Sequence, residues 1–152
     1  MNARIERIDH RIKKLMNRWG VPALRISFAI IFFWFGILKP LGISPAIPLV
    51  KNTVEWLPML SPDTWVHVIG WWEVAIGVLF LFRKATPLAV TLLFLQMIGT
   101  LMPLVFLPKV VYQDGNFFAL TMEGQYIIKN VMIISAALVV GGSSNNKSRN
   151  HE

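Results

Sequence analysis

The chain contains no cysteine. That excludes disulfide exchange, thiolate catalysis, thiolate-bound zinc and any iron–sulfur cluster held by this chain alone. It leaves the redox compartment open. Histidine is scarce, with three in the chain, and His67 alone lies near an apolar run. A haem held between two histidines of this chain is therefore not expected, and His67 is placed at the membrane interface. The sequence carries no phosphate loop, no serine-nucleophile elbow and no zinc signature, so no metal site is expected. It shows no internal repeat and no heptad pattern. Charge is sparse as well, at 15% of residues, and it clusters at the start, at one loop and at the tail.

Apolar residues fill the space between those clusters. They make up 55% of the 152 residues. About 20 consecutive apolar residues cross the hydrocarbon core of a bilayer. Four stretches approach that length: 21–38, 65–82, 86–104 and 123–142. The expected fold class is all-α, an integral membrane four-helix bundle. The length fits a single domain over 1–152, with an N-terminal amphipathic interfacial helix (1–20), a four-span bundle (21–142) and a polar tail (143–152). In the first segment Ile5, Ile8, Ile12, Leu15 and Trp19 recur at helical spacing, while Arg4, Arg7, Arg11, Lys14 and Arg18 take other faces. That pattern suits a helix lying on a membrane surface. No small-x-small cleavage site follows, so the segment is expected to be retained.

Fifteen Lys and Arg against eight Asp and Glu leave a net charge of +7. The cations flank apolar spans, so anionic lipid headgroups are the expected partner and nucleic acid is not. The N-terminal cluster, Arg83, Lys84, Lys147 and Arg149 fall on one side of the four spans, and Lys39, Lys51, Lys109 and Lys129 on the other. The excess places both termini in the cytoplasm and the two long loops outside. In the first outer loop Ser44 and Pro45 mark a helix start. Ile47, Val50, Val54 and Leu57 then share a face, which predicts a short helix along the outer surface. The second outer loop, 108–121, carries Tyr112, Phe117 and Phe118, which form an interfacial belt or cap a pocket.

Glu73 stands out within the apolar run from Val66 to Phe82. A carboxylate at that depth costs roughly 2.5–3.5 kcal/mol on insertion scales, so it needs a partner, a proton or a ligand. Polar and small residues align at helical spacing in every span: Arg25, Ala29, Phe32, Gly36 and Lys39; Gly70, Glu73 and Gly77; Gln96, Gly99 and Pro103; Gln125, Lys129, Met132 and Ala136. Such faces turn away from lipid. At about 1.5 Å rise per residue, Glu73, Gln96 and Lys129 fall at one level in the outer half. Two compatible readings follow. One is a buried Glu73–Lys129 ion pair with Gln96 on the spare lone pair. The other is an outward-facing polar pocket, open toward Lys39 and the proline-rich loop, that holds a small ligand or headgroup or passes a proton. Arg25 is expected to snorkel to headgroups, Asn130 to bond across helices, and Trp34, Trp65, Trp71 and Trp72 to act as anchors or packing.

Several segments resemble the DoxX-like membrane proteins: Arg25-Ile-Ser-Phe-Ala-Ile-Ile-Phe-Phe-Trp-Phe-Gly-Ile-Leu-Lys39, Trp72-Glu-Val-Ala-Ile-Gly77, Leu95-Gln-Met-Ile-Gly-Thr100 and Glu123-Gly-Gln-Tyr-Ile-Ile-Lys-Asn130. The resemblance spans about 24–142 and lies near the branch of an inner-membrane protein linked to reactive-chlorine resistance. It implies a four-helix bundle in the bacterial inner membrane. The family is named for a subunit of a thiosulfate:quinone oxidoreductase, and other members are associated with oxidative-stress defence beside soluble enzymes. Matching motif positions make Arg25 and the set Lys39, Glu73, Gln96, Glu123, Lys129 and Asn130 the candidate ligand-binding or polar-cluster residues. Their catalytic roles are unassigned. With no cysteine, electrons would be carried by a bound quinone or by a partner subunit. Three readings stand: an accessory membrane component of a redox or oxidative-stress system that binds quinone, a small-molecule or lipid carrier without redox chemistry, and a membrane anchor for a soluble partner. The first admits a soluble redox enzyme or a homo-oligomer as partner.

Overall fold

A computed structural model describes residues 3–145, and side chains over a slightly narrower range. Helix α1 runs Ala3–Leu38, α2 Ile47–Val54, α3 Pro62–Leu81, α4 Thr86–Leu101, α5 Pro103–Phe106, α6 Pro108–Val111 and α7 Met122–Asn145; strands β1 (Tyr112–Gln113) and β2 (Asn116–Leu120) form a hairpin before α7. Four helical stretches are long and apolar enough to cross a membrane. In their most apolar windows only 17–28% of residues are buried inside the protein. Ile26, Ile30, Phe33, Trp34 and Phe35 on α1 and Leu138 and Val139 on α7 are among the large side chains left outside. Within this chain they are left to bilayer lipid, which solvates such side chains as well as a core does.

The amphipathic start and the first span are one helix. No break occurs at Gly20, and Pro22 sits inside the helix. Composition changes there from basic to apolar, but the backbone ladder continues past the proline, whose only local loss is its own missing N–H. The boundary expected at residue 20 is thus a change of surface, not of backbone. At the other end α7 continues to Asn145, beyond the expected 142. The remainder of the expected polar tail lies outside the described residues.

Local sequence sets the other boundaries. Ser61 is extended (φ −64°, ψ 150°) and its Oγ accepts from the Thr64 N–H at 3.2 Å, capping α3 with Pro62 in the first turn. A 3-10 turn over Arg83–Ala85 links α3 to α4, again with proline in the first turn. Helix α2 forms in the first loop, starting at Ile47 rather than at Ser44, whose Oγ instead accepts from the Ala46 N–H at 3.3 Å. The second loop contains α6 and the β1–β2 hairpin, elements that the sequence reading did not specify. Gln113 pairs with Asn116 across Asp114 (φ 49°) and Gly115 (φ 73°). Two successive positive φ angles make a type I′ turn, the tightest hairpin connection and one that favours Asp-Gly.

Around the bundle the order is α1, α3, α4, α7 and back to α1, so each span lies beside its neighbours in the chain. The core joins Phe28, Ala29 and Phe32 of α1, Ile76 and Phe80 of α3, Ala89, Leu93 and Met97 of α4, and Ala137 and Val140 of α7. Phe28 stacks on Phe80 with ring centroids 4.9 Å apart. The α1–α3 seam is closest. A Cβ added at Gly77 would lie 2.5 Å from the Phe33 nitrogen, and one at Gly36 2.7 Å from the Val74 nitrogen. The two backbones touch there, as small residues permit. This contact fixes the register of α1 on α3, and so determines which side chains meet further along.

Candidate functional site

Past Gly36 the α1–α3 seam delivers Lys39 beside Glu73. The Lys39 ammonium donates to Glu73 Oε2 and to the Phe35 carbonyl, the latter at 3.4 Å. Gln96 of α4 donates from Nε2 to Glu73 Oε1 at 3.0 Å. Both carboxylate oxygens are thus engaged by groups from two other helices. The side chains of Lys39 and Glu73 are 6% and 13% exposed. Burying each charge alone would be costly, and the pairing offsets most of that cost.

The triad forms one wall of a cavity of about 340 Å³. Helix α2 covers it with Leu49, Val50, Thr53 and Val54, Leu57 follows from the turn after α2, α3 adds Trp65 and Ile69, α4 adds Leu95, Gly99 and Thr100, and α7 adds Ile127. The expected face of α2 is therefore the roof of this space, and not merely a surface helix. The walls are mainly apolar, with a few polar groups fixed among them. Thr53 and Thr100 donate their hydroxyl protons to the Leu49 and Gln96 carbonyls at 2.7 and 3.0 Å, which leaves their oxygens free to accept. Trp65 Nε1 is buried with no hydrogen-bond partner. A buried indole N–H normally finds an acceptor, and leaving one unmet costs about 1–3 kcal/mol. One Lys39 proton and the second Gln96 amide proton are likewise uncommitted by the bonds above. The site presents donors to an acceptor-bearing ligand of apolar body.

Of the residues expected to form the site, Lys39, Glu73 and Gln96 come together. Glu123, Lys129 and Asn130 do not join them. The Glu73–Lys129 pair does not form. Lys129 is exposed and its Nζ lies 5.2 Å from the Tyr126 ring centroid. Glu123 is exposed in the first turn of α7, where its charge suits the helix dipole. Asn130 is half-buried and outside the cavity lining. The cause is helical phase. Gly124 packs against the Val111 carbonyl, and Gly124, Ile127, Ala137 and Val140 face inward. Lys129 follows Ile127 by two residues, roughly 200° around the helix. Gln125 and Met132, expected inside with it, are also exposed, while Ala136 is half-buried.

Arg25, expected to reach headgroups, extends toward the end of α3. Its Nη2 donates to the Phe80 and Leu81 carbonyls at 3.0 and 3.3 Å, which satisfies the end of α3. His67 is exposed, as expected of an interfacial residue. Trp65, Thr53 and Thr100 complete the cavity but were not among the expected site residues. The signal for Trp65 was its spacing: Trp65, Ile69 and Glu73 follow one another at steps of four. Among the described residues no three His, Asp or Glu side chains gather as a metal site.

A family model for DoxX matches residues 20–107, more than half of the chain. No curated protein and no solved structure matches. The matched stretch runs from the apolar part of α1 through α5 and contains Lys39, Glu73, Gln96, Trp65 and the whole of α2. Glu123, Lys129 and Asn130 lie beyond it. With its four apolar helices, this multi-pass membrane protein belongs to the DoxX family.

Proposed function

We propose that the protein is an accessory membrane component of a redox or oxidative-stress system, and that its cavity binds the headgroup of a quinone. The observation that carries this reading is the cavity's mixed chemistry. Apolar walls enclose a polar edge where the Trp65 N–H has no partner and Lys39 and Gln96 keep protons to donate. A quinone offers two carbonyl acceptors on a flat apolar ring, and an isoprenoid tail that bilayer lipid accommodates. At about 340 Å³ the space falls within the range of small-ligand sites. The Lys39–Glu73 pair is neutral overall, so it suits a neutral ligand better than an ion. In this reading the chain holds the quinone, and a soluble partner oxidoreductase supplies the electrons.

Membership of the DoxX family supports a bacterial inner-membrane location, and the distribution of Lys and Arg supports cytoplasmic termini. The cavity then opens toward the outer half of the membrane. Extraction of the protein in native membrane patches, followed by mass spectrometry of the bound small molecules, tests the proposal. Quinone near one per chain in the wild type, and its loss in Trp65→Phe combined with Gln96→Leu, is the expected result. A different apolar ligand in the cavity favours a carrier without redox chemistry. An empty cavity with a co-purified enzyme favours an anchor. Either outcome overturns quinone binding.

A further inference from the structure

At the end of the bundle away from Glu73 lies a second, larger cleft of about 520 Å³. Arg18 and Arg25 of α1 and Arg83 and Lys84 of the 3-10 turn line it, and no Asp or Glu does. Four cations therefore face one space with no carboxylate among the described residues around it. Arg25 is tied by Nη2 to the end of α3, yet its Nε is buried without a partner. The first turn of α4 borders the cleft through Thr86, and its N-cap, Ala85, supplies no side-chain acceptor. The positive end of that helix adds to the same field. The lining also has an apolar part, with Val21, Pro22 and Val140.

We infer that this cleft is a phosphate-binding site, filled in the membrane by the headgroup of an anionic phospholipid. No carboxylate among the described residues offsets these four cations, so an anion entering the cleft would relieve their mutual repulsion. Guanidinium groups match the tetrahedral oxygens of phosphate through paired N–H donors, which a lysine ammonium does not do alone. Basic pockets between spans recognise phospholipid headgroups in this way. The apolar lining residues Val21, Pro22 and Val140 suit the glycerol and upper acyl chains of a lipid, which inorganic phosphate lacks. The quinone cavity differs on every count: its cation is already paired, and its free groups seek a neutral acceptor.

Native mass spectrometry of the full-length protein in detergent tests the site. The probes are phosphatidylglycerol, phosphatidylcholine with the same chains, and inorganic phosphate as a competitor. Phosphatidylglycerol is expected to bind at least roughly tenfold more tightly than phosphatidylcholine. Arg83→Gln with Lys84→Gln should weaken phosphatidylglycerol by roughly tenfold. Arg11→Gln with Lys14→Gln removes the same net charge outside the cleft and should change binding far less. Failure of millimolar inorganic phosphate to displace the lipid assigns the site to the headgroup. Displacement supports phosphate recognition and assigns the source to free phosphate as well. Equal binding of the two lipids, or equal losses in the two double variants, would overturn the site and leave only a net-charge effect.

Discussion

The two ends of the bundle handle positive charge in opposite ways. Near α2, Lys39 is buried and answered by Glu73, which is itself held by Gln96. At the other end Arg18, Arg25, Arg83 and Lys84 share a cleft that, among the described residues, no carboxylate lines. The difference follows from depth and solvation. A cation enclosed between helices needs its counter-charge within the protein, because neither water nor headgroups reach it. A cation at the rim of a span borrows its counter-charge from the membrane surface. The first end is thus equipped for a neutral ligand and the second for an anion.

Substitutions that unbalance the buried end should have the largest effect. Glu73→Leu strands the Lys39 ammonium and is expected to cost about 3–5 kcal/mol, read as a fall in the unfolding midpoint in a fixed detergent. Adding Lys39→Met should restore most of that loss, because removing both charges is far cheaper than removing one. If the double variant is no more stable than the single, pairing is not what holds this end. The α1–α3 seam comes next. Gly77→Val places branched carbons against the Phe33 and Ala29 backbones and should cost about 1–3 kcal/mol by overpacking. Thermal unfolding checks this, and a shifted α1 should also weaken binding at the Glu73 cavity, although Gly77 does not line it.

The rim should be much more forgiving. Arg83→Gln is expected to change stability by less than about 0.5 kcal/mol, since its side chain is exposed. A large loss there would mean that the cleft cations hold the fold rather than an anion. Lys129→Ala should be milder than any change at Lys39, at most about 1 kcal/mol from the lost ring contact. It should also leave ligand binding in the cavity unchanged. Ligand loss in that variant would return Lys129 to the site from which the geometry removes it.

Much of this organisation was legible in the residues. The four spans follow from apolar length, the turn at Arg83 from the charge pair before Pro87, and the α1 and α3 inner faces from steps of three and four. Glu73 and Gln96 were legible as partners because each is a lone polar group deep in its span. Glu73's cation was not. Lys39 and Lys129 both lie toward the ends of spans, where long side chains can reach water or turn inward. The choice was made by backbone contact at Gly36 and Gly77, which brings α1 against α3, and by Gly124 and Ile127, which turn Lys129 outward. Those are tertiary facts that polarity along one helix does not encode. The hairpin was a different kind of miss: Asp114-Gly115 is a local turn signal, obscured by the surrounding aromatics that read as a loop belt. The continuity of α1 through Pro22 was hidden by the change in composition.

Photolabelling tests the central claim most directly. The full-length protein in native membrane patches is exposed to a photoreactive quinone analogue, and the labelled peptides are identified with and without excess natural quinone. Binding at the Glu73 cavity predicts labelling concentrated on α2 and on α4 around Leu95–Thr100, abolished by competitor and sharply reduced in Trp65→Phe. Labelling spread over the lipid-facing side of α1 around Ile26–Phe35, unaffected by competitor or by that substitution, would contradict it.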